Sequence, residues 1–449
     1  MRSKTARETA LDLLIRILRD GAYSQIVLNE ALIRSTVSEK DKKLITVLVY
    51  GVLQRKLTLD FILSRLISTE KTDQWVRVLL MTAVYQKIYL DRIPDHAIVN
   101  ETVKIAGKRG HPGIRGFVNA VLRRFLREGV PDLPAGLSES RRLAIETSHP
   151  EWMLNLWTQQ WDPETARRIA ENGNTVPPVF VRINRTKTTR AELIGLLERE
   201  GISAQPGRLS ADCLKITSGH ANGSTALADG LITVQDESSM LVADVVAPEK
   251  GSVVLDACAG PGGKATHLGE RLSGCGSVLA LDLHEHKTRL IDRAAHRLGL
   301  TDIRTMALDA RRAKDTLPAE SFDRVLLDVP CSGLGVIRRK PEIKWEKKKT
   351  DIAPLTDVQQ ALLESAAPLV RAGGWLIYST CTISREENDR QLFGFLAGHR
   401  EFEWEPGFFS RLPGQLESCR VAGGCSMIQL MPGQFGTDGF FIGCLRRKK

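Results

Sequence analysis

The sequence predicts an all-α N-terminal bundle, then a small α/β module, then a doubly wound, largely parallel α/β domain. Three observations carry that prediction. Over residues 1–130 apolar residues recur at three- and four-residue spacing, and no clear strand appears. Between 151 and 245, helical patterns alternate with short strand-like runs. From 251 onward short apolar strands alternate regularly with helical stretches, as in a parallel sheet with helices on both faces.

In chain order, segments 5–19, 23–34, 40–54, 58–67, 74–89, 95–107 and 114–128 read as helices, and Gly110, His111, Pro112 and Gly113 interrupt the last two. Residues 131–150 hold Pro131, Pro134, Gly136 and Pro150 and read as a linker. The module at 151–245 reads as helices at 151–172 and 189–200 and strands at 178–184, 213–217 and 231–235. The remaining domain, 246–449, has strand-like runs at 253–258, 277–282, 303–309, 324–330, 374–380 and 439–445.

Composition bounds the function. A content of 42% hydrophobic and 26% charged residues is that of a globular chain and excludes a mostly disordered one. No apolar run approaches the ~20 residues of a transmembrane helix. The start, MRSKTARETALDLLIRILRD, reads as an amphipathic helix rather than a secretion signal. Eight cysteines without a CxxC pair make neither a disulfide framework nor a zinc site, so no metal and a reducing cytoplasm are expected. The net charge is +10, from 63 Lys+Arg against 53 Asp+Glu. Residues 1–130 carry all of it, with 23 basic against 13 acidic side chains. That points to a polyanionic partner for the helical part.

Ligands of a doubly wound sheet sit at the carboxyl ends of its strands. The strand ends read Asp256–Cys258, Asp282, Asp309, Asp328–Cys331 and Thr380–Cys381. The first turn, DACAGPGGKATHL, has Gly260, Gly262 and Gly263, where the backbone can pass close to a ligand. Gly260-x-Gly262-x-x-Ala265 matches a dinucleotide fingerprint only superficially, and Cys258 and Ala265 break a P-loop pattern. Asp282 is spaced to take ribose hydroxyls and Asp309 could face a base. A lone strand-end Asp is better read as an N-cap, but three at successive strand ends beside a Gly-rich turn are less easily dismissed. At the fourth strand end Pro330 stiffens the chain between Asp328 and Cys331. At the fifth, Ser384 and Glu387 have capping-box spacing, which would start a helix just after Cys381 and favour its thiolate. Cys213, Cys258, Cys275, Cys419, Cys425 and Cys444 read as small buried hydrophobes.

A nucleotide-like cofactor, two thiols and a carboxyl group suit carbon methylation of a pyrimidine. C5 of cytosine is not nucleophilic. A thiolate adding to C6 makes C5 enamine-like and able to attack an electrophilic methyl group. An acid at N3 favours the addition, and a base must then take the C5 proton. Either cysteine could be the nucleophile on these grounds.

The strings DACAGPGGK (256–264), LDVPCSGLG (327–335), STCT (379–382) and TDGFF (437–441) resemble the RNA (cytosine-5)-methyltransferase family. RIPDHAIVNETV (92–103) and GFVNAVLR (116–123) resemble the NusB-like RNA-binding domain. With RINRTK (182–187) and TVQDESS (233–239), the whole chain resembles the Sun/RsmB (Fmu) family of 16S rRNA (cytosine-5)-methyltransferases. The resemblance implies a Rossmann-like (class I) methyltransferase domain over 246–449 using S-adenosyl-L-methionine, 16S rRNA as substrate, and a monomer with no DNA or membrane partner. It implies Cys381 as nucleophile and Cys331 as the thiol that helps release the product. It puts Cys258, Ala259, Gly260, Pro261, Gly262, Gly263, Lys264, Asp282, Asp309 and Asp328 at the cofactor, with Asp328 also near the cytosine. Gly260 stands where many relatives have Ala.

Arg338, Arg339, Lys340, Lys344, Lys347, Lys348 and Lys349 cluster after the Pro-Cys loop around Trp345, a mixture suited to phosphate contact and base stacking. His267, His284 and His286 read as surface or packing residues. Two other functions compete. An RNA-binding regulator with a non-catalytic C-terminal scaffold would need neither strand-end thiol, and a nicotinamide oxidoreductase would leave both without a role.

Overall fold

The computed structural model describes residues 4–34, 38–68 and 70–449; the first three residues of the amphipathic start lie outside them. The chain divides into two compact units, Met1–Val176 with Ile337–Lys349, and Pro177–Val336 with Thr350–Lys449.

The first unit is helical. It opens with α1 (Ala6–Asp20), α2 (Ser24–Arg34), α3 (Glu39–Ser64), α4 (Gln74–Tyr89), α5 (Asp95–Arg109) and α6 (Pro112–Glu128). Local chemistry sets the ends of α1. Thr5 and Glu8 form a capping box, and Gly21 stops the helix at φ 65°. The stretch expected as two helices, 40–54 and 58–67, is the single 26-residue α3, because nothing between Gln54 and Thr58 breaks a helix. Gly51 lets α3 meet α4, since a Cβ there would overlap the Tyr85 ring. Leu11, Leu14, Leu48, Val52, Leu80 and Val84 fill the core.

The stretch 131–150, expected as a linker, carries a further helix, α7 (Glu139–Thr147). Ser138 caps it through Arg141 N, and Leu143, Ala144 and Ile145 are buried. The pattern at 151–172 splits into α8 (Glu151–Gln160) and α9 (Pro163–Asn172). Asp162 caps α9, and Pro163 takes its first position, where no amide donor is needed.

The second unit holds two sheets. The small one is antiparallel, ordered β2-β3-β1-β4, from β1 (Val179–Ile183), β2 (Ser203–Pro206), β3 (Cys213–Ser218) and β4 (Ile232–Val234). β2 had no sequence signal: Ser203-Ala-Gln-Pro206 is a mostly exposed edge strand without apolar alternation.

The large sheet is built from β5 (Val253–Asp256), β6 (Ser277–Asp282), β7 (Ile303–Ala307), β8 (Phe322–Asp328), β9 (Val370–Thr380), β10 (Phe402–Trp404), β11 (Met427–Leu430) and β12 (Phe440–Arg447). Its order is β10-β12-β9-β8-β5-β6-β7, with β11 paired to β12. β5 to β9 run parallel and β10 to β12 are antiparallel additions. Alternate residues fill opposite faces: Leu326 and Ile377 one, Leu327 and Tyr378 the other. The strand order reverses between β5 and β8, which opens a crevice at their carboxyl ends.

Candidate active site

Asp256, Asp282, Asp328 and Thr380 are the last residues of β5, β6, β8 and β9, so the parallel sheet delivers them to one edge. The turn after β5 leads into the helix Gly263–Leu272. Gly262, at φ 106°, occupies the left-handed region, and a Cβ there would press on Ile291. Gly260 brings its N–H to Asp282 Oδ2 at 3.2 Å, and a Cβ would collide with that carboxylate. Asp282 Oδ1 accepts from His284 N at 2.9 Å, so this buried aspartate ties the two turns together.

Lys264 Nζ donates to Asp328 Oδ2 at 2.7 Å, and Ser379 Oγ donates to Oδ1 at 2.9 Å. Three strand ends are thereby linked. Asp256 is fully buried beside them. Burial, helped by Asp328, pushes its carboxyl up to about 7.

The two thiols meet. Cys331 Sγ lies 3.4 Å from Cys381 Sγ, and both residues are partly exposed. Two glycines permit it. Gly335 N donates to Cys381 O at 3.0 Å and Gly439 N to Gly335 O at 2.9 Å, and a Cβ on either glycine would strike the other loop. The hydrogen bond to Cys381, then burial, holds the Cys331 thiol well above its usual range. Burial also raises the thiols of Cys213 and Cys258, and that of Cys444 to about 12. Cys275 and Cys425, expected buried, are exposed in glycine-containing turns.

Other candidate residues find local partners. Asp309 is the N-cap of the short turn Ala310–Arg312 and pairs with Arg311 at 2.6 Å, which lowers its pKa. The helix expected just after Cys381 begins at Asp389, and Glu387 makes no capping box with Ser384. A helix terminus therefore does not act on Cys381. His267 is buried against Asp212 at 3.0 Å, and burial lowers its pKa to about 3.

The basic cluster after the Pro-Cys loop is corrected most. Ile337–Lys349 is built into the helical unit. Lys344 is buried, with Nζ donating to Gln54 O at 2.9 Å, Ser148 O at 3.1 Å and Asn174 Oδ1 at 3.0 Å. Trp345 Nε1 donates to Leu53 O at 2.8 Å, and its ring packs on the helical core. Arg338 is buried and Arg339 half-buried, which leaves Lys340, Lys348 and Lys349 exposed. Lys344 and Trp345 hold protein rather than RNA, because their polar atoms are already taken by backbone and side-chain oxygens.

Arg182 on β1 entered the sequence reading only within a string. It is fully buried, forms a two-pronged ion pair with Glu270 at 2.7 and 2.9 Å, and donates to Gly263 O at 2.6 Å and Thr266 Oγ1 at 3.1 Å. The small sheet thus grips the helix that follows the glycine turn. Nothing in the alternation of RINRTK marks a buried arginine. Among the described residues no cluster of His, Cys, Asp and Glu could hold a metal ion, and no helix is long and apolar enough to cross a membrane.

The chain is similar to known proteins along its length. The model of the 16S rRNA methyltransferase RsmB/F family matches residues 243–446, that of the NusB family residues 4–127, and that of the ferredoxin-like domain of RsmF/B-like methyltransferases residues 149–221. A probable ribosomal RNA small subunit methyltransferase B from Bacillus subtilis is 45% identical and aligned over 100% of both chains. One from Synechocystis is 34% identical over 99% of each, and one from Klebsiella pneumoniae 34% over 93% of each. Among solved structures, that of PH0851 gives a TM-score of 0.83 at 26% identity, covering 100% of this chain and 99% of that one. A methyltransferase homolog from Pyrococcus horikoshii gives 0.59 at 25% identity, covering 69% and 100%. Identity at this level along the full length, over a sheet whose strand ends carry the two thiols, settles the matter: the chain belongs to the ribosomal RNA small subunit methyltransferase B family.

Proposed function

We propose that the chain methylates C5 of a cytosine in 16S rRNA, with S-adenosyl-L-methionine as donor and Cys381 as the covalent nucleophile. The observation that carries this reading is the 3.4 Å approach of Cys331 and Cys381 at adjacent strand ends beside the Lys264–Asp328 pair.

The glycine turn fits the donor. Beyond its own helix and chain neighbours, nothing lies within 4 Å of a Cβ built on Gly263, so there is open space beside the turn at that position. Asp256 is buried there with no side-chain hydrogen-bond partner among the described residues, which suits a cationic ligand. Cys258 to Lys264 with Asp282 and Asp328 would hold S-adenosyl-L-methionine, and Asp309 would lie at its outer end. The bound donor supplies an electrophilic methyl group.

The residues do the rest. Cys381 acts as the thiolate of the pair, with the Cys331 S–H 3.4 Å away as its hydrogen-bonding partner. Its sulfur bonds to C6, N3 takes a proton from the acid side of the Lys264–Asp328 pair, and the C5=C6 electrons become available at C5. After methylation the C5 proton passes to water, the S–C6 bond breaks, and the electron pair returns to Cys381. The N3 proton goes back to the pair. The Cys331 S–H stabilises the departing sulfur by hydrogen bonding. The helical unit, which carries the chain's net positive charge, binds rRNA phosphates. The protein acts as a monomer.

The test uses labelled S-adenosyl-L-methionine and unmethylated small-subunit rRNA. Labelled 5-methylcytosine is expected. Cys331→Ala accumulates a covalent protein–RNA adduct and Cys381→Ala forms none. Absence of methyl transfer by folded protein, or an adduct in Cys381→Ala, overturns the reading. A non-catalytic RNA-binding scaffold would transfer no methyl group.

A further inference from the structure

Two buried neighbours, Glu387 and Asn388, take no part in the steps above. Glu387 Oε1 accepts from Ser332 N at 2.8 Å and Gln359 Nε2 at 3.2 Å; Oε2 accepts from Ser332 Oγ at 2.5 Å and Thr382 Oγ1 at 3.3 Å. Gln359 Nε2 also donates to Pro330 O at 3.0 Å. The carboxylate therefore holds the residue after Cys331 directly and the residue before it through Gln359.

Asn388 does the same for the other thiol. Its Oδ1 accepts from Thr380 Oγ1 at 2.6 Å, and its Nδ2 donates to Thr382 O at 3.1 Å and Gln429 Oε1 at 2.7 Å. Ser332 Oγ and Thr382 Oγ1, 2.8 Å apart, join the two brackets. Each cysteine is fixed at both chain neighbours. A buried carboxylate is a costly way to fill space that apolar groups would fill as well. What it adds is direction. Its two shortest bonds, and three of its four, go to the Cys331 side, and one, at 3.3 Å, to the Cys381 side, which Asn388 already holds.

We propose that Glu387 is a positioning residue for Cys331: it presents the second thiol to the Cys381 sulfur, so that breakdown of the covalent adduct depends on it more than formation does. This rests on the thiol roles proposed above. The step concerned is the elimination in which the S–C6 bond breaks, the electron pair returns to sulfur and the C5 proton passes to water.

The full chain is compared as wild type, Glu387→Ala, Glu387→Gln, Cys331→Ala and Cys381→Ala. Three readouts are taken: denaturant-stable protein–RNA adduct, S-adenosyl-L-methionine affinity by calorimetry, and capture of a trivalent arsenical, which requires two adjacent thiols. Glu387→Ala is expected to keep donor affinity within about threefold and to accumulate at least tenfold more adduct than wild type, like Cys331→Ala. It is expected to capture the arsenical at least tenfold more weakly. Glu387→Gln, which keeps an acceptor for Ser332, recovers part of both effects. If Glu387→Ala does not fold, Ser332→Ala removes the 2.5 Å bond, together with the contact to Thr382 Oγ1, while leaving the carboxylate in place, and is read in the same way.

Wild-type turnover without adduct, or unchanged arsenical capture, overturns the positioning role. Loss of donor binding together with adduct formation also overturns it, because that marks a general prop. If Cys331→Ala accumulates no adduct while Glu387→Ala still loses the arsenical, the thiol roles fail and the geometric role of Glu387 stands.

Discussion

Lys264 Nζ and Asp328 Oδ2, at 2.7 Å, join the turn after the first strand of the parallel sheet to the end of the fourth. The pair unites the glycine turn and the Pro-Cys loop, and Ser379 Oγ extends it to the Thr-Cys strand. Lys264→Met is expected to lower kcat/KM for methyl transfer by about 100-fold, ~2.7 kcal/mol of transition-state stabilisation. Steady-state methylation of rRNA checks it, and a change below about threefold would remove the pair from the reaction.

Asp256 carries a pH signature. Folding holds its carboxyl proton up to about 7, whereas an unfolded aspartate releases it near ~4. The folded state therefore binds more protons across that window, and the stability this group contributes below ~4 is lost as the pH rises through about 7. Asp256→Asn removes the penalty. It is expected to stabilise the donor-free protein at pH 8 by on the order of 2 kcal/mol and to change little at pH 4.5. Urea melts at the two pH values measure the difference; equal effects at both would contradict it.

Arg182 and Glu270 form a buried pair beside the glycine turn. Arg182→Met strands the Glu270 carboxylate and is expected to cost about 3–5 kcal/mol in chemical denaturation. Adding Glu270→Leu is expected to restore most of it, because the loss comes from an unpaired buried charge. A double variant as unstable as the single one would assign the cost to packing instead.

Basic residues of the helical unit separate into two kinds. Lys344 satisfies three oxygens, so Lys344→Met is expected to cost about 3 kcal/mol of stability and to leave the salt slope of RNA binding unchanged. Arg16 and Arg19 are exposed on α1. Replacing both by Ala is expected to leave stability within about 0.5 kcal/mol and to reduce the slope of log Kd against log salt by about 1 to 2. Filter binding across a salt series distinguishes the two. An unchanged slope for the Arg16/Arg19 variant would move the RNA surface elsewhere.

By itself the sequence determined the helices of the N-terminal part, the parallel strands and the crowding of Asp and Cys at their ends. These features are local: apolar spacing, caps such as Thr5 with Glu8, and glycine turns act within a few residues. Only tertiary structure decided the allegiance of Ile337–Lys349, whose charges look solvated in sequence yet meet carbonyls from α3 and the turn after α7. It likewise turned Glu387 from an expected helix cap into a clamp on Ser332, and showed that Asp309, read as either a base contact or an N-cap, caps a turn and pairs with Arg311. The physical reason is shared. Spacing along a chain fixes which face a side chain occupies, but the partner it meets there is set by strand order, and in this sheet the fourth and fifth parallel strands bring together thiols that lie fifty residues apart.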